Sequence, residues 1–97
     1  MALGDKVTAI QSVVATTGVL DIRPASGIEW TIHNIYYSQG TVEFYKTDGT
    51  NNIKFDSDTS NGARLGAVFH VTNSQWIQVK NTAGTATIIG YDGVQTK

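Results

Sequence analysis

The sequence predicts an all-β fold: a single antiparallel β-sandwich of seven or eight short strands, for which a jelly roll is one available arrangement. Three observations point there. Short runs rich in Val, Ile, Thr, Tyr, Phe and Trp recur along the 97 residues at the spacing expected of strands. Clusters of Gly, Asn, Asp, Ser and Thr separate them, and these residues tolerate turn geometry. No stretch holds a convincing helical period. A chain of this length forms one domain, residues 1–97, with enough apolar surface for one sandwich core.

Met1 to Asp5 reads as a short arm. Lys6 to Thr17, KVTAIQSVVATT, sets Val7, Ala9 and Val13 on one parity and Thr8, Ile10, Ser12 and Val14 on the other. Val7, Ile10, Val13 and Val14 also fit a helix, but the Val, Thr and Ile content favours a strand. Residues 1–17 therefore form either an arm that orders on a partner or the first core strand. Val19–Arg23 follows the break at Gly18, and Pro24-Ala25-Ser26-Gly27 is a strong turn signal around the sole proline.

Ile28–Tyr37, IEWTIHNIYY, is the longest aromatic strand candidate. Ile28, Trp30, Ile32, Asn34 and Tyr36 share the face expected to meet the core. Thr41–Thr47 and Ile53–Phe55 make a hairpin around Asp48-Gly49. Asp56–Arg64 reads as a polar loop. Leu65–Val71, Gln75–Lys80 and Thr85–Tyr91 then read as a three-strand meander around which the sheet is organised, ending at Asp92-Gly93.

Composition narrows the function. Charged residues are 15% of the chain, against about 25% in typical soluble domains. Such a surface can meet another protein without desolvating many charges. The formal net charge is −1, from seven basic and eight acidic residues without a Lys/Arg run. The electrostatic footprint of a nucleic-acid binder is thus missing, and no nucleic-acid partner is expected. The sequence has no cysteine, which excludes disulfides and thiolate metal sites. No apolar run approaches bilayer-spanning length, and MALGDKVTAIQ lacks the pattern of a secretory signal, so no membrane partner is expected.

Chemistry-bearing residues are sparse. His33 and His70 could meet a metal together with Asp56 or Asp58, but no paired spacing supports a ligand set. Asp56-Ser57-Asp58-Thr59 alternates oxygen ligands, yet lacks the glycine and the distal glutamate of a calcium loop. Glu29 and Glu43 are the only glutamates, both on strands, and alternation turns them to solvent. No nucleophile elbow or triad spacing is present. No catalytic residue, metal or cofactor is expected, and the chain reads as a non-enzyme. The aromatic residues carry more: Trp76 has opposite parity to Ile77 and Val79, and Tyr36, Tyr37 and Tyr45 add amphipathic surface. Packing over an open end of the sandwich, a protein interface and sugar stacking are the three readings of Trp76. Trp76, Tyr36, Tyr37, Tyr45, Lys6 and Val7 are the candidate interface residues.

From about Gly27 onward, the strand IEWTIHNIYY, the hairpin VEFYKTDGTNNIKFDS and the run FHVTNSQWIQVKNTAGTATIIGYDG resemble small virion proteins of tailed bacteriophages. More specifically, they look like head decoration, or cement, proteins. The likeness rests on strand rhythm and turn phrases rather than on a catalytic signature, a texture shared by other β-modules of phage tails and fibres. The resemblance implies a non-enzymatic protein made in the host cytoplasm that coats the capsid exterior. It would bind the major capsid protein and its own copies, as a homotrimer ahead of a dimer, and bridge neighbouring capsomers. A carbohydrate- or receptor-binding module of a tail or fibre, and a head-completion or tail subunit, are the alternatives.

Overall fold

The computed structural model describes residues 4–14, 18–38, 41–59, 62–66 and 68–97. Alternation of side chains at period two organises them into nine strands: β1 Lys6–Val13, β2 Val19–Ile22, β3 Glu29–Tyr37, β4 Val42–Thr47, β5 Asn52–Asp58, β6 Gly62–Arg64, β7 Phe69–Thr72, β8 Trp76–Asn81 and β9 Thr87–Gln95. Two antiparallel sheets pack as a β-sandwich. The first runs β1-β9-β3, with β7 and β6 sharing the far edge of β3; the second runs β2-β8-β4-β5. Strands β5 and β6 occupy most of the stretch that reads as a polar loop, which raises the count above the expected eight.

The expected meander is corrected. Strands β7, β8 and β9 do not pair with one another: β7 and β9 flank β3 on opposite edges, and β8 lies in the other sheet between β2 and β4. The turns between them are arches that cross the sandwich. In the first, Thr72 Oγ1 accepts from Ser74 N and Gln75 N, and Arg23 Nε donates to Asn73 O. In the second, the fully buried amide of Asn81 donates to Val13 O, Val14 O and Thr85 O, and its Oδ1 accepts from Ala83 N. Hairpins and arches use the same turn residues, so the turn signal is real but silent about partners.

Strand β3 carries a bulge that re-sorts its faces. Its register with β9 passes from Ile32↔Gly93 to Asn34↔Asp92, leaving His33 as the extra residue. Trp30 and Ile32 face inward before the bulge, as expected; beyond it Ile35 and Tyr37 are buried and Tyr36 is exposed. The placement of Asn34 and Tyr36 on the core face is thus overturned by one inserted residue. The bulge also explains why Asp92-Gly93 does not end a strand. A Cβ on Gly93 would stand 2.1 Å from Thr31 O and 2.8 Å from Ile32 Cα, so glycine is needed where the two backbones converge.

The other turns follow the sequence. Ile28 N donates to Ala25 O across the Pro24–Gly27 turn, where Gly27 has a φ of 84°. The β4–β5 hairpin turns at Gly49, with Asp48 Oδ1 accepting from Thr50 N and Asn51 N. Between the sheets Ile32, Ile35 and Ile89 meet Ile22, Phe44 and Val79, all excluded from water. Burying each such side chain contributes about 1.5–3 kcal/mol. Strand β1 joins the same body: it pairs with β9 from Lys6↔Val94 to Val13↔Thr87, so residues 6–13 are a sheet strand of their own chain and not an arm.

Candidate interaction surfaces

The candidate interface residues do not gather on one face. Lys6 is exposed at the start of β1, whereas Val7 beside it is buried in the core and is removed from the interface set. Trp76 lies on the outer face of the second sheet, as its parity requires, but only 6% of it is exposed. The Arg23 guanidinium carbon sits 3.8 Å from the ring centroid, and Trp76 Nε1 donates to Asp21 Oδ1 at 3.0 Å. Gln78 Nε2 bonds the same carboxylate oxygen at 2.8 Å. Cation–π stacking and this shared acceptor close the ring beneath polar side chains. Trp76 is therefore packed rather than presented, and a flat sugar-stacking platform is not available there.

The tyrosines divide three ways. Tyr37 is buried by the β3 bulge, stacks edge-on against Phe44 at 5.6 Å and donates to Asp58 Oδ2 at 2.6 Å, so it too leaves the surface set. Tyr36 is 41% exposed on the outer face of the first sheet. It donates to Asp92 Oδ2 at 2.9 Å, and Asn34 Nδ2 donates to Asp92 Oδ1 at 2.6 Å. The hydrogen bond to that carboxylate holds the Tyr36 phenol above its ordinary pKa. Tyr45, on the outer face of the second sheet, donates to Glu43 Oε1 at 2.6 Å while Lys54 Nζ reaches Glu43 Oε2 at 2.8 Å. The Lys54 bond first, then the Tyr45 bond, lowers the Glu43 pKa; Lys54 and Tyr45 are both raised in return.

The metal and carboxylate readings find no assembled site. His33 and His70 lie on β3 and β7 of the first sheet, while Asp56 and Asp58 lie on β5 of the second. Among the described residues no three His, Cys, Asp or Glu side chains converge on a metal-sized space. His70 Nδ1 is 3.0 Å from Thr31 Oγ1. The supposed calcium loop is strand through Asp58: Asp56 Oδ1 accepts from Ser57 N, and Asp58 Oδ1 from Thr59 N. Glu29 and Glu43 sit on different sheets, each beside a lysine, Lys97 and Lys54.

What the structure exposes instead is aliphatic. On the flank formed by β1, Ile10 is 80% and Ile88 51% exposed, with Val14 beyond the strand end. Ile10 and Tyr36 are both Cα partners of Gly90, so they stand either side of a residue without a side chain. On the opposite flank, Ile53 and Phe55 of β5, Phe69 of β7 and Val68 just before it line an apolar cleft of about 360 Å³, floored by Ile77 and Lys46. Phe55 bridges its walls, 6.2 Å from Phe44 and 5.5 Å from Phe69 between ring centroids. In the sequence these residues read as ordinary strand members. The signal for Ile10 was its parity, shared with Thr8 and Ser12 rather than with Val7 and Val13. No helix among the described residues is long and apolar enough to cross a membrane. No protein-family model matches the chain, and no curated protein matches it either.

Proposed function

We propose that this protein is a non-enzymatic virion structural protein of the head-decoration kind, which attaches to the outer surface of a tailed-phage capsid and bridges neighbouring capsomers. The observation that carries this reading is the stranding of large aliphatic and aromatic side chains in solvent on both lateral flanks of one small sandwich: Ile10 and Ile88 on one side, Ile53, Phe55 and Val68 on the other. Exposed apolar surface of that kind marks a contact face. Two such faces let one copy hold two neighbours, and many weak contacts repeated over a shell sum to firm attachment. The resemblance in β3, the β4–β5 hairpin and β7 to β9 supports the same role. Its partners are the major capsid protein and further copies of itself, at the capsid exterior.

The test is reconstitution on undecorated heads of the phage that encodes the protein. Added protein is expected to bind to a saturable number of sites and to raise the temperature at which the heads rupture. Heads that neither retain the protein nor gain heat resistance would remove the proposal.

A further inference from the structure

Of the edge strands of the two sheets, β5 and β1 are the longest, and they are built differently. Strand β5 is guarded: its register with β4 breaks between Phe44 and Tyr45, which makes Phe55 a bulge, and it carries Lys54, Asp56 and Asp58. Bulges and charges are the usual devices that keep foreign strands away from an edge. Strand β1 has neither defence. Its eight residues run against β9 without a shift, contain no proline, and carry one charge, on Lys6 at the very start. An antiparallel ladder directs the N–H and C=O of alternate residues to opposite sides. Half of those on β1 therefore point away from β9, where no strand among the described residues pairs with them.

About Ile10, strand β1 together with Val14 just beyond it is its own complement. We propose that two copies pair antiparallel through β1 across a two-fold axis at Ile10, merging their five-stranded sheets into one continuous sheet. In this register Ile10 faces Ile10 of the second copy and Thr8 faces Ser12, while the Lys6 side chain lies over Val14, the residue just past the strand end, whose carbonyl already accepts from Asn81 Nδ2. Apolar meets apolar, hydroxyl meets hydroxyl, and the lysine stem lies over valine methyl groups. The two Lys6 residues end up at opposite ends of the pair, about 26 Å apart at strand rise; a parallel pairing would set them side by side. A slip of one residue would oppose Ile10 to core-facing Ala9, and a slip of two would oppose it to Thr8 or Ser12. Only the Ile10-centred register covers the most exposed large apolar side chain among the described residues, 80% in solvent, with an equal. It also joins Tyr36, Gly90 and Ile10 of each copy into one strip across the axis. The pairing rests on the edge itself and stands whether or not the assembled unit docks on a capsid. It is two-fold, the dimer that the resemblance puts behind a trimer.

The chain contains no cysteine, so a single substitution introduces a unique thiol. Directly opposed strand residues have Cα atoms about 4.5–5.5 Å apart, within disulfide reach, whereas an offset of four residues separates them by about 13 Å. Under mild oxidation Ile10→Cys is expected to yield a covalent dimer at least tenfold faster than Ser12→Cys or Ile88→Cys. Sedimentation equilibrium of the unmodified protein is expected to give twice 10.4 kDa, and Ile10→Glu, which sets two carboxylates on the axis, to halve that mass without changing the circular dichroism. A protein that stays at 10.4 kDa at all concentrations overturns the pairing. So does equal cross-linking of the three cysteine variants.

Discussion

Tyr37 and Asp58 tie the two sheets together: the phenol of β3 in one sheet donates to the carboxylate of β5 in the other, across 2.6 Å. The ring is buried, so the bond is shielded from competing water. It exists because the His33 bulge turns Tyr37 inward, which makes a local irregularity in one strand responsible for a contact between layers.

Tyr37→Phe keeps the ring and its edge-on contact with Phe44 while removing that bond. Hydrogen bonds to charged groups contribute about 1.5–3 kcal/mol. Urea unfolding is expected to show a loss of that size with an unchanged m-value, and a melting temperature lower by roughly 4–8 °C per kcal/mol. A loss below about 0.5 kcal/mol would mean that the sheets do not depend on this tie.

Gly93→Ala tests the bulge itself. The added methyl would meet Thr31 O at 2.1 Å, backbone against backbone, with no side chain able to yield. Destabilisation of about 3 kcal/mol or more is expected. Gly84→Ala, where nothing lies within 4 Å of the new Cβ, is the control and is expected to stay within about 0.5 kcal/mol of the parent.

The glycines differ in how legible their roles are in the sequence. Asp48-Gly49 and Pro24–Gly27 declared turns because a short polar loop needs a φ that glycine supplies, and both are turns. Asp92-Gly93 uses the same dipeptide for close backbone approach inside a strand, a tertiary demand that no local pattern records. The outward parity of Trp76 was readable, but its cover was not, since Arg23 lies on a different segment. Strand existence was likewise plain from β-branched and aromatic runs, while the choice of partner for β7, β8 and β9 depends on how far each arch swings. The stranded Ile10 is visible in the parity of strand Lys6–Val13, whereas Phe55 is hidden by a bulge that shifts it against β4.

The Glu43 cluster predicts a direction with pH. Lys54 and Tyr45 depress the Glu43 carboxyl below its ordinary value, so the folded state binds that proton less readily than the unfolded one. Its contribution is therefore present above the unfolded value of about 4.3 and is lost as pH falls through the lower folded value. The raised Lys54 and Tyr45 values act at the other end, their contributions present below the ordinary pKa values and lost as pH rises through the raised ones. Melting temperatures measured from about pH 2 to about pH 6, a window of about ±2 units around that value, are expected to fall less steeply at the acid end for Glu43→Gln than for the parent. Superimposable acid limbs would show that Glu43 adds nothing to acid sensitivity.

Under the proposed function, the exposed apolar flanks carry the attachment to the head. The most direct measurement is the affinity of Ile53→Glu for undecorated heads beside that of the parent, since Ile53 is 63% exposed and its replacement leaves the core intact. Binding weakened at least tenfold, with an unchanged melting temperature, is the expected result. Undiminished binding by the folded variant, and again by Ile10→Glu, would contradict it.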